Sequence, residues 1–211
     1  MGTVERRERE RQELRARILD AARELFAEQG YDAVTMRKIA ERIEYSPTAI
    51  YFHFRDKQTL LQELCDADFG ALAQEFQKIA RVGDPIERLR QIGRAYLAFG
   101  IDYPNHYRLM FMTPKPAGVC AADSRIARGN PEEDAYAFLR ATIEEAIAAR
   151  SLRPEFRDAD LVSQMVWAGV HGVVSLQIAK KSDDWVEWRD PKTTAHELID
   201  VMIRGLVRER S

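Results

Sequence analysis

At 211 residues, 31% of them charged and 45% hydrophobic, the chain has room for one large helical domain or two small ones, and its composition is that of an ordinary soluble globular protein. A formal net charge of −2 is not that of a protein coating nucleic acid over its whole surface, although a specific binder needs only a local basic face. Two distant cysteines, Cys65 and Cys120, form neither a metal-ligand spacing nor a disulfide framework, so reduced thiols in a cytoplasm are expected.

The charged start has no apolar core of a secretory signal. Arg6-Arg7-Glu8-Arg9-Glu10-Arg11 alternates in sign and reads as the solvated start of a helix over 7–29, ended by Gly30; an arm touching phosphates is the second reading. Thr35 is placed to cap a helix over 36–43, where Met36, Ile39, Ala40 and Ile43 repeat at i, i+3, i+4 and i+7. Ser46 followed by Pro47 is a cap with proline at the first helical position, opening a helix over 47–53. Two short helices joined by a tight turn form the helix-turn-helix pattern, whose DNA-binding form sets its second helix in the major groove.

That second helix carries Tyr51, Phe52, His53 and Phe54 in succession, and one inward stripe cannot bury all four rings. Ile50 and Phe54, four apart, share the inward face; Thr48 and Phe52 then point outward, with Tyr51 and His53 on the flanks. Taken singly, Phe54 is a core ring, His53 a surface histidine and Lys57 a solvated charge. Their joint spacing suits a groove of DNA.

The run from Ile18 to Phe26, then Gly30-Tyr31, Thr35, Ile39-Ala40, Ser46-Pro47, Tyr51, His53-Phe54 and Lys57, resembles the N-terminal domain of TetR-type transcriptional repressors over about the first quarter of the chain. The resemblance implies phosphate contacts from Thr35, Tyr51, His53 and Lys57, and base-edge contacts from Pro47, Thr48 and Phe52. Arg37 and Ser46 complete the DNA-facing set. One position departs from the pattern: the family usually has glycine in the turn where this chain has Glu44, so either the turn bends differently or Glu44 is strained by roughly 1–2 kcal/mol.

Further helices are expected near 57–80, 85–101, 104–111, 131–150, 158–180 and 191–210, several opened by the same logic at Asp84-Pro85, Asn130-Pro131 and Asp190-Pro191. No strand periodicity competes, so the fold class is all-α. Residues 113–129, with Pro114, Pro116 and Gly118, break the pattern and form a long connection. In the loop 181–188, Trp185 and Trp188 are expected to pack over a helix end.

Residues 161–179 contain no charge and approach membrane-spanning length, but Ser163, Gln164, His171, Ser175 and Gln177 interrupt them, so a buried central helix of a soluble protein is expected. Gln164, Trp167, His171 and Ser175 form a polar-aromatic stripe there, either satisfied internally or lining a ligand pocket. Trp167-Ala-Gly-Val-His171-Gly172 resembles a C-terminal signature of one branch of these repressors. A pocket would be completed by Phe69, Tyr96, Tyr107 and Met110 and suit a mainly apolar effector with one or two polar functions. The last helix offers Leu198, Met202, Ile203 and Leu206 which, with Gly169, Gly172 and Val173, are expected to form a four-helix dimer interface.

His53, His106, His171 and His196 are scattered, and no catalytic, metal or cofactor constellation emerges. The expectation is a cytoplasmic homodimeric repressor with a head over 1–56 and an effector and dimerisation domain over 57–211. It would bind a palindromic double-stranded operator and be released by a small molecule as the helix over 57–80 tilts, with no membrane involved. The alternatives are a helical enzyme modifying a small molecule, told apart by turnover, and a helical interaction module without DNA binding, favoured if no basic surface surrounds Lys57 and Arg37.

Overall fold

The computed structural model describes residues 3–114, 116 and 124–208. Residues 115 and 117–123 of the connection over 113–129, Cys120 among them, lie outside the described residues. The helices are α1 (Thr3–Gln29), α2 (Met36–Arg42), α3 (Pro47–His53), α4 (Lys57–Gln77), α5 (Pro85–Asp102), α6 (Pro104–Tyr107) running into a π-helical turn at Arg108–Met112, α7 (Ala135–Ala148), α8 (Ala159–Lys180) and α9 (Pro191–Leu206). Among the described residues the one extended pairing is an isolated antiparallel bridge between Leu152 and Val207. The fold is all-α.

Local chemistry sets most helix starts. The hydroxyls of Thr35 and Ser46 accept from Lys38 N and Ala49 N at 3.2 and 3.3 Å. Asp84 and Asp190 cap α5 and α9 ahead of the expected prolines. Asn130-Pro131 behaves differently. Asn130 accepts Asp134 N at 2.8 Å in a single turn, and α7 begins only after Asp134, whose carboxylate caps Tyr136 and Ala137.

Glu44 ends α2 at φ +60. Tyr45 N donates to Ala40 O at 2.9 Å and Glu44 N to Glu41 O at 3.2 Å, the paired bonds of a Schellman motif with glutamate at the position that favours glycine. The turn therefore keeps its geometry and Glu44 carries the strain. Glu44→Gly is expected to raise stability by about 1 kcal/mol, a rise of roughly 2–4 °C in melting midpoint for a chain of this size. A midpoint that stayed put or fell in thermal denaturation would contradict that assignment. Arg150, at φ +54, ends α7 in the same way.

The chain packs as two compact units, residues 1–68 with 105–125 and residues 69–104 with 126–211. In the first, Ile18, Ala22 and Phe26 of α1 meet the interior with Val34, Ile39, Ala40, Ile50 and Phe54, all essentially buried. Ile50 and Phe54 thus take the inward face expected of them. Leu60, Leu61 and Leu64 of α4 and Tyr107 and Leu109 of the later segment are also buried. Two charged side chains, Arg23 and Asp68, are enclosed with them. Asp68 accepts from Arg23 Nε and Nη2 at 3.1–3.2 Å and is 3.0 Å from His106 Nδ1, and Arg23 Nη1 donates to Asp20 at 2.8 Å.

The second unit packs α5, α7, α8 and α9 against one another. Val162, Val166, Val170 and Val174, each four apart on α8, are buried. Yet Leu161, Met165 and Leu176 on the same helix are 54%, 46% and 51% exposed. Thus α8 is not the enclosed central helix expected; it is apolar around more of its circumference than the subunit covers. By length and composition alone it could cross a membrane, with 28% of its most apolar stretch buried. Gly169 faces α9 so closely that an added Cβ would lie 2.5 Å from Met202 Sδ. In the loop after α8, Trp188 donates to Asp183 O at 3.1 Å and is half-buried, whereas Trp185 is 80% exposed and covers nothing.

Candidate nucleic-acid interface

The exposed side of α3 is built as its periodicity requires. With Ile50 and Phe54 inside, Pro47 and Thr48 are exposed, Tyr51 is 54% exposed and Phe52 75%. Thr35 and Ser46 present their capping hydroxyls at the starts of α2 and α3. Arg37 is exposed and tied to Glu41 at 2.8 Å. Rings, hydroxyls and one guanidinium therefore share a surface that no core packing demands.

His53 is half-buried, and its pKa is pushed below the ordinary histidine value, first by burial and then by the cations Arg11 and Arg15. It is thus neutral at neutral pH, offering a hydrogen bond rather than a charge until a polyanion approaches.

Lys57 has contacts within the chain that its sequence position does not reveal. Its ammonium donates to Tyr31 O at 2.8 Å and Val34 O at 2.9 Å and sits 4.0 Å from the centre of the Tyr31 ring. A cation with two N–H groups given to backbone carbonyls anchors the loop between α1 and α2 while keeping its positive charge.

Sequence reasoning passed over Asp56, although an aspartate directly before a helical run is a readable cap. Its carboxylate accepts from Thr59 N at 2.7 Å and Arg55 Nε at 2.9 Å. These bonds, the backbone one first, lower its pKa from 3.8 to about 2. A depressed carboxylate stabilises the fold above the unfolded pKa and loses that contribution as pH falls through the folded one. The side chain is 43% exposed, so solvent discounts the shift and the capping value of about 1 kcal/mol is the better magnitude. Asp56→Ala is expected to be less stable by that amount near pH 6, with the difference vanishing toward pH 2. Denaturant titrations at both pH values test it, and a gap that persisted in acid would remove the carboxylate as its cause.

The residues expected to line a ligand site fall in both units. In the second unit, Trp167 Nε1 donates to Tyr96 Oη at 2.9 Å, and Tyr96 Oη lies 3.2 Å from His171 Nδ1. Burial holds the His171 pKa below its ordinary value, so the neutral ring accepts from the tyrosine hydroxyl. Tyr136 packs on Trp167 with centroids 5.9 Å apart, and Phe69 is half-buried. Gln164 does not join them: it is exposed, two residues from Val162 and from Val166 and so on the opposite side of α8 from the buried valine stripe. Tyr107 and Met110 belong to the first unit and are buried there, Tyr107 with its ring 4.9 Å from Phe111.

The dimer set divides likewise. Ile203 and Leu206 are buried within the subunit, and Leu198 and Met202, both half-buried, lie against Gly169 of the same chain. Gly172 and Val173 remain half-exposed, and a Cβ added at Gly172 would meet nothing within 4 Å.

A capped pair of short helices with an exposed ring-bearing second helix is a helix-turn-helix, and the chain carries a second, helical unit as well. Residues 18–64 match the family of bacterial regulatory proteins called the tetR family, and residues 89–202, more than half of the chain, match the tetracyclin repressor-like C-terminal domain. The chain belongs to the tetR family. Among curated relatives, the HTH-type transcriptional regulator AcrR of Shigella flexneri is 40% identical over 86 residues, 39% of this chain and 40% of that one. The HTH-type transcriptional repressor Rv1474c of Mycobacterium tuberculosis is 41% identical over 69 residues, 33% of this chain and 37% of that one. The match thus spans about two fifths of these relatives. The fold extends further: the fatty acid degradation regulator FadR of Bacillus halodurans superposes with a TM-score of 0.72 at 17% identity, covering 93% of this chain and 97% of that one. The ketosteroid transcriptional regulator KstR2 of Mycobacterium tuberculosis does so with a TM-score of 0.69 at 20% identity, covering 92% and 95%.

Proposed function

We propose that the protein is a cytoplasmic repressor that binds a palindromic DNA operator as a homodimer and leaves it when a small molecule binds the second unit. The observation that carries this reading is the exposed face of α3, where Phe52 and Tyr51 stand in solvent beside Thr48. A short helix with large rings outside has a partner surface, and its length suits the major groove. Residues 1–56 then act as the DNA-reading head and 57–211 as the effector and dimerisation part, with no catalytic residue, metal or cofactor assigned.

Base edges are read by Pro47, Thr48 and Phe52; Thr35, Arg37, Ser46, Tyr51 and His53 hold phosphates, and Lys57 acts through the loop it anchors. Changing Phe52 or Thr48 is expected to lower discrimination between sequences by roughly 1–3 kcal/mol per base pair read, whereas Tyr51→Phe weakens binding to all duplexes alike. Fluorescence titration of selected and scrambled duplexes separates the two patterns. A wild type that bound neither better than the other would end the operator reading.

For the effector, Tyr96, Trp167 and His171 form the polar end of the proposed site, with Tyr136 packed beside Trp167 and Phe69 of the same unit proposed to complete the apolar lining. Gln164, Tyr107 and Met110 are left out. A mainly apolar ligand with one or two polar functions fits such a lining. It acts only through unequal affinity for two arrangements of the heads, and a tilt of α4 is the proposed link. Trp167→Phe and Tyr96→Phe are expected to keep operator affinity and lose release by apolar compounds that free the wild type. Unaltered release in both variants would move the site elsewhere.

A further inference from the structure

We propose that the first turns of α1 form a second DNA-contacting element beside α3, with Arg7 and Arg11 gripping phosphates that flank the bases α3 reads. This inference rests on the DNA-binding reading above.

Arg7, Arg11 and Arg15 are spaced four apart and make one stripe along α1, advancing about 6 Å per step. The stripe is anchored at its inner end. Arg15 pairs with Glu63 and lies over the Phe54 ring, 5.1 Å from its centroid. One turn outward, the Arg11 guanidinium sits 5.9 Å from the centroid of Phe52. Phe52 is 75% exposed on the outer face of α3, so Arg11 belongs to the same surface. Its ion-pair partner Glu8 is 3.8 Å away and also accepts from Gln12 at 2.9 Å, leaving most of the guanidinium's donors for another acceptor.

Arg7 continues the stripe one turn further. The neighbouring cations are engaged, Arg6 with Glu10 at 2.8 Å and Arg9 with Glu13 at 3.6 Å. Among the described residues no ion pair or hydrogen bond of Arg7 is present, and the side chain is exposed. The alternating run thus sorts by helical face: Glu10 and Glu13 neutralise arginines pointing elsewhere, and the uncompensated charge is gathered on the side of α3. One turn of α1 corresponds to about two base pairs of duplex rise, so the stripe reaches phosphates just outside the half-site. Phosphate is the matching acceptor because a guanidinium fork meets its oxygens in pairs.

The test uses the full chain and a duplex enriched by the wild type from a random library. Binding is measured against salt for the wild type, Arg7→Ala/Arg11→Ala and Arg7→Lys/Arg11→Lys, on the enriched duplex and on one trimmed to the half-sites. Each phosphate charge lost is expected to reduce the log–log salt slope by about one unit. The lysine pair should keep the slope, base preference should be unchanged, and trimming should lower wild-type affinity to that of the alanine pair. An alanine pair with the wild-type slope on the long duplex overturns the inference while leaving the DNA-binding reading intact. A wild type that enriches no duplex overturns both.

Discussion

Replacing Leu176 by glutamate is expected to make the protein a monomer and to abolish tight operator binding. Leu161, Met165 and Leu176 are about half exposed along one side of α8, where Ala168 and Gly172 fall between them at alternating steps of four and three or four. That spacing is the seam of a helix pair. Val201 on α9 is 55% exposed as well. In the homodimer proposed above a second copy of the chain would cover this apolar face, and Gly172 would allow close approach because an added Cβ there meets nothing within the subunit. A carboxylate on the seam must be stripped of water without a partner, which costs several kcal/mol and weakens dimerisation by more than a thousandfold. Two heads joined at a fixed spacing bind a palindrome roughly 100- to 10,000-fold more tightly than separate heads, so operator affinity falls with the dimer. Sedimentation at micromolar concentration and titration of the same preparation read both effects. Since Leu176 is exposed within the chain, the variant's helical circular dichroism should match the wild type's. A variant still dimeric, or a wild type already monomeric, would refute this assembly.

The second large effect is expected at Asp68. Its carboxylate is 2% exposed and accepts from Arg23, which is 10% exposed, and His106 Nδ1 lies against the same oxygen that Arg23 Nη2 reaches. Asp68→Asn leaves the guanidinium buried with only Asp20, 71% exposed, as charge partner. Breaking a buried pair from one side costs about 3–5 kcal/mol, a large fraction of the stability of an ordinary domain. The same account predicts that Arg23→Met/Asp68→Leu recovers much of the loss, because the uncompensated charge is then gone. Denaturant unfolding of the two single variants and the double one measures the coupling. Additive losses, with the double variant the least stable of the three, would mean that the pair contributes nothing as a pair. The cluster joins α1, α4 and the segment after Pro104 within the first unit, so its loss should also lower operator affinity through the head.

The helices and their order were legible in the sequence because their determinants are local. Ser46-Pro47, Asp84-Pro85 and Asp190-Pro191 cap the helices that follow them within three residues, and the four-residue spacing of Ile50 and Phe54 settles which side of α3 faces inward. Glu44 was singled out by the family resemblance, which implies glycine there, and the turn shows the physical reason, since a helix end of this kind imposes its backbone angles whatever residue fills it. The inward side of α8 was not legible. A helix apolar nearly all round has no phase for periodicity to find, and only packing against α5, α7 and α9 separates the buried valines from Leu161, Met165 and Leu176. Long polar side chains were illegible for a related reason. Lys57 meets carbonyls 26 and 23 residues earlier in the chain, and Asp68 meets Arg23 and His106 at separations of 45 and 38. A flexible charged side chain has no preferred partner in sequence. The sequence by itself determined the all-helical elements, the helix-turn-helix and its outward rings; the tertiary structure decided which charges are held inside and which apolar face is left over, because those depend on distances that exist only once the helices have packed.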